Sequence, residues 1–211
     1  IEGIQAQRVN SMAEIETAFA QEEVPVIVDP QAAIREQFTP DVIIDGRMRK
    51  APSELALNAV PLMIGLGPGF QAGVDCHAVV ETNRGAYLGR VIWNGGAQAD
   101  TGVPERVLAY TGERVVRAPG DGRLVSLSDI GKLVRQGEAI ARVANEMIYA
   151  PFDGVIRGLL QDGLDVHKGM KIGDIDPRGD ASLCWMISDK ALAVGGGVLE
   201  AILTWMAQKD R

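Results

Sequence analysis

Sulfur and imidazole are scarce in this sequence: 211 residues hold two cysteines, Cys76 and Cys184, and two histidines, His77 and His167. Two distant cysteines exclude a disulfide-built scaffold and fit a reducing cytosol, so a cytoplasmic location is expected. Neither H-E-x-x-H nor C-x-x-C occurs, which removes the usual zinc spacings. No uninterrupted apolar run reaches the roughly 18 residues of a bilayer span, and no signal peptide is legible. Basic residues are outnumbered, 21 against 28 acidic, for a net charge of −7. The nearest thing to a basic cluster is the scattered set Arg47, Arg49 and Lys50. Nucleic acid and an anionic membrane surface are therefore unexpected partners. Disorder is excluded as well, because 46% of the residues are hydrophobic.

What is present in quantity is glycine, 25 residues, with 10 prolines and only 5% aromatics, a composition of many turns and short strands. The sequence opens at Ile1, inside what reads as a strand, so a fragment or processed product is expected. Ala6 to Val9 is a short apolar run, and Ser11-Met-Ala-Glu14 has capping-box spacing ahead of Ile15, Ala18 and Phe19. Val24 to Val28 and Val42 to Ile44 read as further strands, separated by a polar-apolar stretch from Gln31 to Phe38. This βαβαβ order predicts the C-terminal part of a Rossmann-like α/β layer over 1–57. Two of its strands run into aspartates, Asp29 and Asp45, at the strand ends where open α/β sheets bind ligands. A polar residue that merely ends a strand is the alternative.

Glycine cuts the apolar runs from Pro61 to Tyr110, which predicts a β-rich, antiparallel region over 58–112. Within it Cys76 to Thr82, Asn83-Arg84-Gly85 and Leu88 to Trp93 read as a hairpin. The chain then repeats itself with an offset of 32 residues. Ala118-Pro-Gly-Asp-Gly-Arg-Leu124 returns as Ala150-Pro-Phe-Asp-Gly-Val-Ile156, and Gly131, Val134, Gly137 and Ile140 return as Gly163, Val166, Gly169 and Ile172. Two equivalent half-units on one core are predicted. Their A-P-x-D-G and G-x-x-V-x-x-G motifs resemble the halves of a biotinyl/lipoyl-type barrel-sandwich hybrid, here over 113–176. In such carriers the hairpin joining the halves presents a modified lysine. Here it reads Val143-Ala-Asn-Glu-Met-Ile-Tyr149, and Lys132 and Lys168 lie in other turns. Neither biotin nor lipoate is expected, and the domain reads as a docking or structural module. The tail from 177 to 211 holds a glycine triplet, Gly195 to Gly197, followed by Val198, Leu199, Ile202, Leu203, Trp205 and Met206 at helical spacing. A C-terminal helix packing on the middle region is expected, giving a mixed α+β chain.

The candidate chemistry sits in glycine-rich blocks. Gly65, Gly67 and Gly69 follow a strand and either cradle an anion with backbone N–H groups or form a structural turn; Pro68 deletes one donor. Asp75, His77 and Glu81 fall on one face of the following strand by period-two alternation, with Cys76 on the other. Asp75 can orient His77 as a general base, and Asp75, His77 and Glu81 form the one metal-ligand set on offer. A half-buried strand with a hydrogen-bonded histidine is the competing account. Arg178, in Asp176-Pro-Arg-Gly-Asp180, and Lys190 could neutralise an anion, or Arg178 could pair internally with Asp176, Asp180 and Asp189. Cys184, in an apolar run, reads as buried.

The blocks P-L-M-I-G-L-G-P-G-F-Q-A-G-V-D-C-H-A-V-V-E-T-N-R-G-A-Y-L-G-R-V-I (61–92), D-P-R-G-D (176–180) and I-S-D-K-A-L-A-V-G-G-G-V-L-E-A-I-L (187–203) resemble a bacterial family of accessory proteins, the YqeB type, associated with selenium-dependent molybdenum hydroxylases. The resemblance covers almost the whole chain. In that family a glycine-rich, nucleotide-binding-like segment usually precedes the part matched here, so any nucleotide would belong to that segment. What the resemblance implies is maturation of a molybdenum hydroxylase, with that enzyme or its other maturation proteins as partners. Self-association into a homo-oligomer stays open. One reading is a noncatalytic factor that holds an anionic ligand and docks its client. The other is an enzyme, a transferase or nucleotide-dependent activity, with His77 as base and Cys76 as a selenium or sulfur acceptor.

Overall fold

A computed structural model of the chain describes residues 1–48, 54–55, 57–100 and 107–209. The β-rich stretch predicted over 58–112 therefore includes residues 101–106, which lie outside the described ones. The chain divides into two compact units, one of Gly3–Thr101 with Ile187–Arg211 and one of Gly102–Met186.

The first unit begins with β1 (Ala6–Arg8), α1 (Met12–Ala20) and β2 (Val24–Val26), the two strands pairing in parallel. Helix α1 starts where the capping box predicts. Ser11 Oγ accepts from Glu14 N at 3.3 Å, while the Glu14 carboxylate accepts from Asn10 N at 2.8 Å. Its buried side chains, Ile15 and Ala18, pack with Val9 in a small core. A single turn, α2 (Arg35–Phe38), leads to β3 (Val42–Asp45).

Strand β3 joins β4 (Leu62–Leu66), β6 (Ala78–Val80) and β7 (Val91–Ile92) in the order β3-β4-β6-β7. The pairs β3–β4 and β4–β6 are parallel and β6–β7 is antiparallel. This corrects the expected antiparallel character of the middle region: the hairpin around Asn83-Arg84-Gly85 is antiparallel, but β4 pairs in parallel with both its neighbours, and one sheet runs through the expected 57/58 division. The short pair β5 (Gln71–Ala72) and β8 (Gly95–Gly96) stands beside it. Alternation sorts the buried residues to two faces. Met63 and Val79 pack with Phe70, Ala72 and Cys76, while Leu62, Ile64, Ala78 and Val80 pack with the C-terminal helix.

That helix, α3, spans Asp189–Lys209 and so contains the glycine triplet that the sequence pattern placed before it. Ser188 Oγ accepts from Ala191 N at 3.1 Å at its start. Val194, Gly197 and Ala201 are its buried residues. A Cβ on Gly197 would meet the Gly89 carbonyl and, at 2.8 Å, Val80 Cγ1, so the close approach of helix to sheet demands glycine there. Gly195 and Gly196 are different. A Cβ on either would meet nothing within 4 Å, and each costs the helix about 1 kcal/mol relative to alanine. Among the described residues, the segment Ala181–Lys209 is the one helical stretch apolar enough by length and composition to cross a bilayer, although one face of α3 lies against the sheet.

The second unit holds β9 (Val115–Arg117), β10 (Gly122–Ser126), β11 (Leu133–Val134), β12 (Ala139–Val143), β13 (Glu146–Tyr149), β14 (Gly154–Leu159), β15 (Asp165–Val166) and β16 (Lys171–Asp176). Two four-stranded sheets result, β13-β12-β10-β15 and β11-β14-β16-β9. The 32-residue offset converts one into the other: β10, β11 and β12 map onto β14, β15 and β16, and β9 maps onto β13. The hydrogen bonds repeat as well. Gly137 N donates to Ala150 O and Gly169 N to Ala118 O, each at 2.8 Å. Asp153 Oδ1 accepts from Gln136 N and Asp121 Oδ1 from Lys168 N, each at 2.7 Å. Each half thus completes a turn of the other. The shared core contains the offset pairs Leu124/Ile156, Val134/Val166, Ile140/Ile172 and Val143/Ile175.

Candidate functional site

Gly65 lies inside β4, paired with Asp45 and Val79, and only Gly67 and Gly69 belong to the loop after it, which is shaped first by packing. A Cβ on Gly65 would stand 2.7 Å from Phe70 Cβ, and one on Gly67 would run into the Thr82 hydroxyl. Gly67 and Gly69 have φ of +76° and +104°. Gly67 N donates to Val80 O at 2.9 Å and Pro68 has no N–H, which leaves few donors for an anion.

Asp75, Cys76, His77 and Glu81 have separate tasks. Asp75 Oδ1 accepts from Gln71 N at 2.7 Å, and His77 Nδ1 accepts from Met63 N at 2.9 Å. The latter bond fixes the tautomer with the proton on Nε2. It also places the ring beside the start of β4, whereas the glycine loop follows its end. Glu81 is fully buried; Oε1 accepts from Thr82 N (2.8 Å) and Asn83 N (2.7 Å), and Oε2 from Gln98 N (2.7 Å). Three carboxylate and imidazole groups bonded to three different stretches of backbone do not make a ligand set, and among the described residues no group of three such side chains could hold a metal ion. Burial, reinforced by the Asp75 carboxylate, pushes the Cys76 thiol up to about 12. A nucleophilic cysteine needs the opposite environment. Cys184 is half-buried, and its thiol is likewise raised by burial.

Arg178 is engaged internally. Its Nε and terminal nitrogen meet Asp176 at 2.9 and 2.5 Å, and its backbone N–H donates to the same carboxylate at 3.0 Å. It lies in the second unit, whereas Gly65, Gly67, Gly69, Asp75, Cys76, His77, Glu81 and Lys190 lie in the first. Lys190 is half-buried in the first turn of α3.

A cavity lined by charged groups lies elsewhere in the first unit, beyond the ends of β2 and β3. It measures about 540 Å³, and its lining includes Asp29, Arg35, Ile43, Asp45, Arg47 and Glu54. An almost wholly apolar cavity of about 300 Å³ adjoins it, lined by Val9, Phe19, Ile27 and Phe38 and sharing Ala32, Arg35 and Ile43. Asp45, which ends β3, and Asp29, three residues beyond the end of β2, therefore face one cleft. Asp29 accepts from Ile34 N at 2.8 Å, and backbone N–H groups of Ile34 and Ala33 hold its carboxyl below the usual range. Arg47 grips Asp45 through Nε (3.0 Å) and a terminal nitrogen (2.5 Å) and reaches Glu54 at 2.8 Å. Its charge is met on both sides, and that bond holds the Asp45 carboxyl low. A cleft with neutralised arginine, carboxylate acceptors and an apolar neighbour suits a small ligand that donates hydrogen bonds, more than it suits a bare anion. Position at the expected strand ends pointed to the two aspartates, with a polar residue that merely ends a strand as the alternative. Arg35, Arg47 and Glu54 carried no sequence signal, since the single turn of α2 brings in the first and irregular chain the other two.

No protein-family model matches the chain. A curated protein of Escherichia coli (strain K12), described as "Uncharacterized protein YqeB", is 45% identical over 208 residues, 99% of this chain. The YqeB-type assignment is supported. The chain spans only 38% of the length of that relative. Among solved structures, the product-bound ectoine utilization protein EutE (DoeB) from Ruegeria pomeroyi is 18% identical, with a TM-score of 0.26 over 40% of this chain and 27% of that one. That likeness is too slight to bear on fold or function.

Proposed function

We propose that this chain is part of a noncatalytic, cytoplasmic accessory protein for a selenium-dependent molybdenum hydroxylase, holding a small cofactor-related ligand in the strand-end cleft while its repeat unit docks the client enzyme or another maturation protein. The family role comes from the YqeB resemblance. The observation that favours a binding role is the cleft itself, with both Asp29 and Asp45 on its wall and a 540 Å³ volume. The enzyme reading has less support, because Cys76 is a buried thiol and the His77 Nδ1 position is already bonded to the backbone. The repeat unit is read as a barrel-sandwich hybrid that has lost the carrier role. The tip of its β12–β13 hairpin is Ala144-Asn145, so the residues present do not fit biotin or lipoate.

The test is genetic and chemical. A host that makes such a hydroxylase loses the corresponding gene and regains it as wild type or as Asp29→Asn. The hydroxylase polypeptide should accumulate equally in all strains, while its selenium content, read by elemental mass spectrometry, falls in the deletion strain and in Asp29→Asn. Full selenium content and activity in the deletion strain would sink the proposal.

A further inference from the structure

The inner face of α3 lies on the sheet, but its outer face is apolar and bare. Leu192, Leu199, Leu203 and Met206 are 67, 56, 55 and 50% exposed. With Gly195 they form the stripe 192, 195, 199, 203, 206, whose steps of three, four, four and three residues read the same in both directions about Leu199. Glu200 is the sole charged residue between Lys190 and Lys209. Helical neighbours at three and four residues share one face, so these five side positions form a single seam. Gly195 and Gly196 sit in or beside it with open space where a Cβ would be, so the folded single chain gives no reason for either glycine.

We propose that this seam is a homodimer interface in which α3 packs antiparallel on α3 of a second copy, about a two-fold axis at Leu199. A two-fold contact is self-complementary: if residue i meets j, j meets i. The palindromic spacing meets that condition, bringing Leu192 against Met206, Gly195 against Leu203, and Leu199 against itself. Gly195 receives the larger Leu203 and lets the backbones approach. Antiparallel packing also sets the Asp189 end of one helix beside the Lys209 end of the other, with opposed macrodipoles. No other helix among the described residues has the length to answer this seam, since α1 has 9 residues and α2 has 4.

Sedimentation velocity of the 211-residue chain up to ~200 µM should show a reversible monomer–dimer equilibrium, doubling the 22.5 kDa of the chain. Leu199→Glu, at an exposed position, should keep the circular dichroism spectrum and weaken association at least ~100-fold. Gly195→Ala should raise the monomer's melting temperature, because alanine favours helix, yet weaken the dimer by ~10-fold. Under mild oxidant, Leu192→Cys chains should cross-link with Met206→Cys chains and neither with itself, which a parallel pair would not give. A monomer at all concentrations would overturn the proposal, as would a dimer indifferent to Leu199→Glu. Flotation of the monomer with phosphatidylglycerol vesicles, lost in Leu199→Glu, would assign the seam to a lipid surface instead and equally overturn it.

Discussion

Two triplets, Asp45-Gly-Arg47 and Asp176-Pro-Arg178, end strands in different units with one geometry: the arginine reaches back two residues with Nε and a terminal nitrogen, and its own N–H joins the same carboxylate. The motif ties a strand end to the turn that leaves it. Asp176 is fully buried, and Arg157 adds a third cation contact at 3.3 Å. The bonds from Arg178 hold its carboxyl below the usual range against the opposing effect of burial. A depressed folded value means that the unfolded chain takes up the proton first. The stabilisation is therefore complete above the ordinary aspartate value of about 3.9 and is lost as pH falls below it. Asp176→Asn should cost about 2 kcal/mol at pH 7 and flatten the loss of stability between roughly pH 4 and 2. Urea titrations across that range read both effects. An unchanged acid slope would show that the pair does not couple protonation to folding.

At the scale of elements, the second unit was the most legible part of the chain. A constant offset in glycines and core residues reports the same turn and the same inward position twice, and both are set locally. Gly131 and Gly163, or Gly137 and Gly169, adopt φ of +80° to +91° in paired turns. The α1 start was equally local. Pairing between distant strands was not, since nothing in Leu62–Leu66 says whether its neighbour runs parallel. The sheet register is decided by burial on both faces, which explains the apolar content of β4 and β6. Helix α3 shows the limit of propensity: three consecutive glycines suggested a break, but packing of Val194, Gly197 and Ala201 carries the helix through them. The Asp121 and Asp153 turn bonds yield a prediction with an internal control. Asp121→Ala and Asp153→Ala should each destabilise the unit by about 1–2 kcal/mol, equal within about 0.5 kcal/mol, and the double variant should be their sum. Chemical denaturation measures all three. A neutral effect at one position with a large one at the other would show that the topological repeat is not an energetic one.

At the scale of the molecule, each unit has its own core. One cluster holds the repeat unit together, and three separate clusters serve the first unit. Two cores allow two melting transitions, and the α3 seam belongs to only one of them. A ligand or second copy that binds only the folded state raises stability with its concentration, by about 2.7 kcal/mol at a hundredfold excess over the dissociation constant. If α3 pairs across a two-fold axis, raising protein concentration should therefore lift the melting temperature of the first unit alone. Trp93 and Trp205 report that unit and Trp185 the other, so single-tryptophan variants read by fluorescence separate the two transitions. The expected record is an upward shift with concentration for Trp93 and none for Trp185, with both curves flat in Leu199→Glu. Parallel shifts at Trp93 and Trp185 would mean that association involves the whole chain, and two flat curves in the wild type would remove the dimer.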